Sequence, residues 1–116
     1  MSYPNRGEIW LVNLNPTIGA EIKKTRPALI ISNDINNEYA DTVTLIPISD
    51  KGDKIYPFEA FLPKEITKGV IKDSKVKCQQ IRTVDKLRLV KFLGSISEGK
   101  IEEVEKAILI HLGIER

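Results

Sequence analysis

Arg26, Ser49 and Glu21 are the side chains of this sequence whose types and placing could carry a reaction. Arg26 stands in the step Thr25-Arg26-Pro27, directly before the apolar run Ala28-Leu29-Ile30-Ile31. Proline fixes its own φ, lacks an N–H and drives the residue before it toward extended geometry, so a guanidinium is held at the mouth of a strand. Ser49 follows the run Val43-Thr44-Leu45-Ile46-Pro47-Ile48 and opens a polar loop, and Glu21 lies in the polar stretch leading to Arg26. Strand ends far apart in sequence can meet at one rim of a sheet. A guanidinium offers a planar fork to phosphoryl oxygens, and a serine hydroxyl adds a donor. A phosphodiester that carries its own 2′-hydroxyl nucleophile needs little more than in-line alignment, help with proton transfer and charge stabilisation. A salt-bridging arginine and a turn serine are the plainer reading of the same residues.

Other chemistries are poorly served. Cys78 is the only cysteine and His111 the only histidine, which excludes an intramolecular disulfide and a cysteine-based metal centre and leaves no ligand set for zinc. His111 falls in a predicted helix and reads as structural or surface. No phosphate-gripping glycine loop, His-Glu-x-x-His or nucleophile elbow occurs. The chain of 116 residues is 41% hydrophobic and 29% charged, with a formal charge of +2. That suits one domain with a real core and is too weakly basic to name a polyanionic partner. The distribution is more pointed: nine bases between Lys64 and Lys91 face only Glu65, Asp73 and Asp85, whereas the segment from Glu98 is acidic. A basic surface beside an acidic helix fits this pattern, and so do two merely solvated faces. No signal-peptide core or membrane-length apolar run is present, so a cytoplasmic protein with no membrane association is expected.

The elements that must position these residues are mostly short strands. Alternation and β-branched or aromatic content predict strands over 8–14, 27–31, 42–48, 56–62, 70–71 with 74–81, and 89–96. The strand after Pro27 is apolar at successive positions and should be buried on both faces. Pro47 should mark the end of its strand or an edge position. The stretch 20–25 has no period and reads as a mobile loop, and at most one helical turn fits before Tyr39. Thr83 is placed to cap a helical turn over 83–87. Ser97 caps the one convincing helix, which ends before Gly113 and turns Ile101, Val104, Ala107, Ile108 and Leu112 inward. The fold class is therefore mainly β with one C-terminal α-helix, a small curled sheet or barrel over a single domain, 1–116. Trp10 and Phe58 read as core, while Tyr56 is open between packing and stacking on a base.

Five stretches, in order, resemble the MazF/PemK/Kid family of toxin endoribonucleases. They are Arg6-Gly7-Glu8-Ile9-Trp10 running to Leu14-Asn15-Pro16, then Gly19-Ala20-Glu21, then Thr25 through Asp34, then Tyr56-Pro57-Phe58-Glu59, and Gln79-Gln80-Ile81-Arg82-Thr83-Val84-Asp85-Lys86. The resemblance implies an SH3-like barrel of the CcdB/MazF type, a homodimer, and sequence-specific cleavage of single-stranded RNA without metal or cofactor. It implies 2′,3′-cyclic phosphate and 5′-hydroxyl products, and neutralisation by a cognate antitoxin. The family's catalytic arginine matches Arg26, its loop glutamate Glu21, and its catalytic threonine Ser49. Serine keeps the hydroxyl but loses the methyl that restricts χ1. Arginine does not readily give up its proton, which favours Arg26 as a charge clamp and proton donor to the leaving 5′-oxygen over a general base. Glu21 could be the base or could orient Arg26. Gln80 matches a glutamine placed in the RNA groove, and Tyr56, Lys23, Lys24 and Lys77 complete the expected RNA contacts. The alternative is a non-catalytic module of the same fold that engages a protein, as gyrase-directed toxins do.

Overall fold

The computed structural model describes residues 3–115. Its strands are β1 (Glu8–Asn13), β2 (Thr25–Ile30), β3 (Thr42–Asp50), β4 (Glu59–Leu62), β5 (Ser74–Lys77), β6 (Arg82–Asp85) and β7 (Leu89–Ser95). Its helices are the short α1 (Asp34–Tyr39) and the C-terminal α2 (Glu98–Leu112). All pairings are antiparallel, in the order β4-β5-β3-β2-β1-β7, with β6 also on β3. The order leaves β4 and β7 as its two ends, so this barrel-like sheet is not closed by strand pairing.

The apolar run after Pro27 explains why the sheet curls. Ala28 and Ile30 enter a core with Val12, Leu14, Val43, Leu45 and Val84, whereas Leu29 and Ile31 enter another with Ile9, Ile46, Ile48, Leu62 and Val76. Side chains alternate faces along a strand, so a strand apolar at every position must find cover on both sides. On one side Val104 and Ala107 of α2 complete the cover; on the other, Trp10, Ile22 and Leu89 close over the edge. Each such buried Leu or Ile contributes roughly 1.5–3 kcal/mol.

Pro47 does not end its strand: β3 continues through it to Asp50. The residues 74–85 run antiparallel along the whole of β3, first as β5 on Ile48–Asp50 and then as β6 on Thr42–Leu45. Ile46 and Pro47 lie in the gap between these two ladders, where a proline has no N–H to offer a neighbour. Opposite that gap the expected strand over 74–81 breaks after Lys77 into a 3-10 turn, Cys78–Gln80. The expected helical turn at 83–87 is likewise corrected. Thr83 and Val84 are β-branched and extend as β6, with the Thr83 and Thr44 hydroxyls 2.7 Å apart, and it is Asp85 that caps a 3-10 turn at Lys86–Arg88. The fourth strand is shorter than expected, because 56–58 form the turn before Glu59.

Ser97 caps α2 through Lys100 N, and Gly113 ends it in the left-handed region at φ 70°. Val104 and Ala107 are its buried residues and Ile108 packs beside them, but Leu112 is 53% exposed because the helix runs past the edge of the core. At Gly94 of β7 a Cβ would stand 2.1 Å from the carbonyl oxygen of Lys68. The absence of a side chain there lets the backbone of the 63–73 connection lie directly on β7.

Candidate active site

A cleft of about 460 Å³ opens where β2 begins and β3 ends. Arg26 and Ser49, distant in sequence, both line it, together with Lys24, Pro27, Asp50, Val70 and Ile71. Pro27 pairs with Leu11 of β1, whereas pairing of β2 to β3 starts at Ala28, so Arg26 is delivered just outside the β2–β3 ladder. Its Nε donates to the carbonyl of Lys23 at 2.9 Å. Neither terminal nitrogen has a protein partner among the described residues, and no carboxylate lies within ion-pair distance. A guanidinium fixed at one edge and open at the other is arranged for a bidentate oxyanion. Ser49 is half-buried and its Oγ donates to the carbonyl of Asp50 at 3.2 Å. The pair Lys72–Asp50, at 2.6 Å, spans the lip with both side chains largely exposed, and contributes little stability.

Glu21 and Gln80 are not in that cleft. They line a second cavity of about 310 Å³ with Ile18, Ala20, Gln79 and Arg82. The Glu21 carboxylate accepts from the Ile18 amide at 2.7 Å. Gln80 has both ends of its amide engaged: Oε1 accepts from Ile22 N at 3.1 Å and Nε2 donates to the Ala20 carbonyl at 3.3 Å. Arg82 donates through Nη2 to the Ile22 carbonyl, while its Nε is shielded from solvent without a partner. Burial lowers the Arg82 pKa, offset in part by the Glu21 charge and reinforced by Arg88. Arg88 in turn donates to the carbonyls of Asn13 and Asn15. The stretch 20–25, read from sequence as a mobile loop, is thus bound at Ala20 and Ile22 by side chains about sixty residues later in the chain.

Tyr56 stacks on Phe58 with ring centroids 5.4 Å apart and stays 42% exposed. The Lys54 and Lys75 ammoniums lie 4.7 and 5.9 Å from its ring. Beneath it Lys75 and Glu59 form a buried ion pair at 3.0 Å, with side chains 11% and 1% exposed. They sit on neighbouring strands at a diagonal position, Phe61 being directly opposite Lys75. Burial pushes the Glu59 carboxyl up, but hydrogen bonds from Gln79, the Tyr56 amide and Lys75 outweigh it and hold the pKa below the ordinary range. Phe58, expected in the core, instead belongs to this half-exposed aromatic group, 6.4 Å from His111. Trp10 does pack on the core, edge-on to Phe92 at 6.1 Å.

A family described as PemK-like, MazF-like toxin of type II toxin–antitoxin system matches residues 5–112. The chain belongs to this family. It is 40% identical to "Endoribonuclease MazF" of Staphylococcus epidermidis over 110 residues, covering 94% of this chain and 91% of that one. It is 34% identical to "Endoribonuclease MazF9" of Mycobacterium tuberculosis over 114 residues, covering 94% and 96%. The crystal structure of MazF from Deinococcus radiodurans superposes with a TM-score of 0.84 at 27% identity, covering 98% and 100% of the two chains.

In this MazF-like toxin the basic tract from Lys64 to Lys91 is not one free face. Lys75 is buried against Glu59, Lys72 pairs with Asp50, and Arg82 and Arg88 bind backbone carbonyls. Lys23 and Lys24 are exposed on the loop before Arg26, and Lys77 is half-buried at the end of β5. Cys78 is buried and its thiol is pushed up to about 12 by burial and the Glu59 charge, which makes it inert as a nucleophile. Sequence reasoning missed Arg82 and the Glu59–Lys75 pair. Both depend on register: the diagonal of β4 on β5 and the break opposite Pro47 decide what these side chains meet.

Proposed function

We propose that this MazF-like endoribonuclease toxin cleaves single-stranded RNA without a metal ion, leaving a 2′,3′-cyclic phosphate and a 5′-hydroxyl. The observation that carries the reading is the open edge of Arg26 in a cleft shared with Ser49. The two terminal nitrogens of Arg26 hold non-bridging oxygens of the scissile phosphate, and Ser49 turns its hydroxyl from the Asp50 carbonyl to donate to the same group. The 2′-oxygen attacks phosphorus and its proton passes to water at the open cleft, while the bond to the 5′-oxygen breaks as that oxygen takes a proton from a second water beside the Arg26 guanidinium, so one proton is released and one taken up. Glu21, which caps the Ile18 amide at the second cavity, serves the loop rather than acting as the base.

Lys23, Lys24 and Lys77 neutralise flanking phosphates, and Tyr56 offers an exposed ring to a base. Gln80 borders the RNA path through the loop it binds. The whole chain works as one toxin domain that pairs with a second copy in the cytoplasm. Its antitoxin, expected from membership of a toxin–antitoxin family, presents an acidic segment to the same basic rim.

Incubation of the purified protein with mixed-sequence RNA in EDTA, followed by mapping of both ends, tests this directly. Cyclic-phosphate ends at a short recurring sequence, lost in Arg26→Ala, are the expected result. Intact RNA, or cleavage that needs added metal and survives Arg26→Ala, overturns it.

A further inference from the structure

Gln80 and Arg82 reach across the fold to a stretch of backbone nearly sixty residues earlier. Between them they bind the Ala20 carbonyl, the Ile22 amide and the Ile22 carbonyl. The next residue, Lys23, supplies the carbonyl that fixes Arg26 Nε. On its other side Lys24 sits in the left-handed region at φ 75°, which a lysine rarely adopts unless its surroundings impose it. Here they do: its amide donates to Asn15 Oδ1 at 3.1 Å and its carbonyl accepts from Leu14 N at 3.0 Å. The Lys23 peptide is therefore bracketed by anchors on both sides.

We infer that Gln80 and Arg82 are positioning residues: they hold the 20–22 backbone so that the Lys23 carbonyl meets Arg26 Nε and turns the open edge of the guanidinium into the Ser49 cleft. The inference rests on the role proposed above for Arg26. It also gives a reason for the break in the strand opposite Pro47. An unbroken strand over 74–85 would alternate its side chains across β3, whereas the 3-10 turn releases Gln79 and Gln80 from that alternation. Gln80 has each end of its amide engaged by backbone, which commits its side chain to the loop and leaves one N–H and one lone pair unused.

The test compares Gln80→Ala, Gln80→Glu and Arg82→Lys with the unaltered protein in four measurements. These are thermal midpoint, amide exchange across 18–25 in the free protein, single-turnover cleavage at saturating oligonucleotide, and Kd for a 2′-O-methyl RNA that cannot be cleaved. Gln80→Ala removes the bonds to the Ile22 amide and the Ala20 carbonyl; since one such bond corresponds to about a tenfold effect, the Ile22 amide should exchange at least about tenfold faster and kcat should fall by about tenfold or more. Gln80→Glu keeps the acceptor for Ile22 N and should recover part of both. Kd should stay within about threefold, and the midpoint should fall only by the few degrees that lost hydrogen bonds without lost apolar contact cost. In an Arg26→Lys background, where Nε and its bond to Lys23 are gone, Gln80→Ala should cost kcat less than about threefold.

Faster exchange with unchanged kcat overturns the positioning role, and so does a weaker Kd at unchanged kcat, which would make Gln80 an RNA contact. Unchanged exchange in all three variants overturns the clamp itself. If the unaltered protein does not cleave RNA, the proposed activity falls while the exchange measurement still decides whether the clamp exists.

Discussion

Arg26 and Arg82 are both half-buried, and each donates to a backbone carbonyl of the same loop, Lys23 for one and Ile22 for the other. Their surroundings differ in one respect. Arg26 binds through Nε and leaves its outer edge to a cleft, whereas Arg82 binds through an outer nitrogen and buries Nε. An open fork can take a phosphate bidentately; a fork with one terminal nitrogen already on a backbone carbonyl is partly committed to protein. The pair teaches that in a moderately basic chain the count of cations says little about ligands, and the edge each cation leaves open says more. Lys75 is the limiting case, a cation closed in by Glu59, the Lys54 carbonyl and the Tyr56 ring.

The contrast breaks first at Arg26. Arg26→Ala should lower kcat by about 10³-fold, the scale of losing a donor to transition-state charge, with little change in the thermal midpoint. An equal loss of midpoint and rate would place Arg26 with the structural cations. At the closed end, Glu59→Gln leaves Lys75 buried without its counter-charge and should cost about 3 kcal/mol, read from denaturant unfolding. The same variant tests a sign. The Glu59 pKa lies below its unfolded value, so its contribution is present above the unfolded pKa and is lost as pH falls through the folded one. The unaltered protein should lose stability in that acid range, and Glu59→Gln should lose less of it.

Ser49→Ala should slow single-turnover cleavage by about tenfold, the worth of one hydrogen bond. Ser49→Thr should match or exceed the native rate, because the added methyl restricts χ1. The smallest effect separates a side chain from its own carbonyl. Lys23→Ala removes an exposed ammonium but keeps the carbonyl that Arg26 reads. It should therefore reduce the salt slope of RNA binding by about 0.7 while leaving the saturated rate alone.

Much of the frame was legible in the residues. Ser97 and Gly113 bound α2 because capping is local chemistry, and the unbroken run 28–31 announced a strand buried on both faces because side chains alternate. Arg26 was legible because proline constrains the residue before it wherever it occurs. The errors fell where a partner strand outweighs local preference. Thr83 and Val84 extended beside β3 in place of starting a helical turn, whereas Phe58 fell in the turn before β4 and stacked half-buried on Tyr56.

By itself, then, the sequence determined most of the strands though not β6, where α2 begins and ends, and that a guanidinium stands at the start of β2. Those are consequences of period, capping and the proline ring, all of them short-range. Only the tertiary structure decided that Ser49 shares the Arg26 cleft while Glu21 does not, and that Arg82 and Gln80 grip the loop between. These depend on the register along β3 and on the break opposite Pro47, and register is a property of paired strands that no single strand carries.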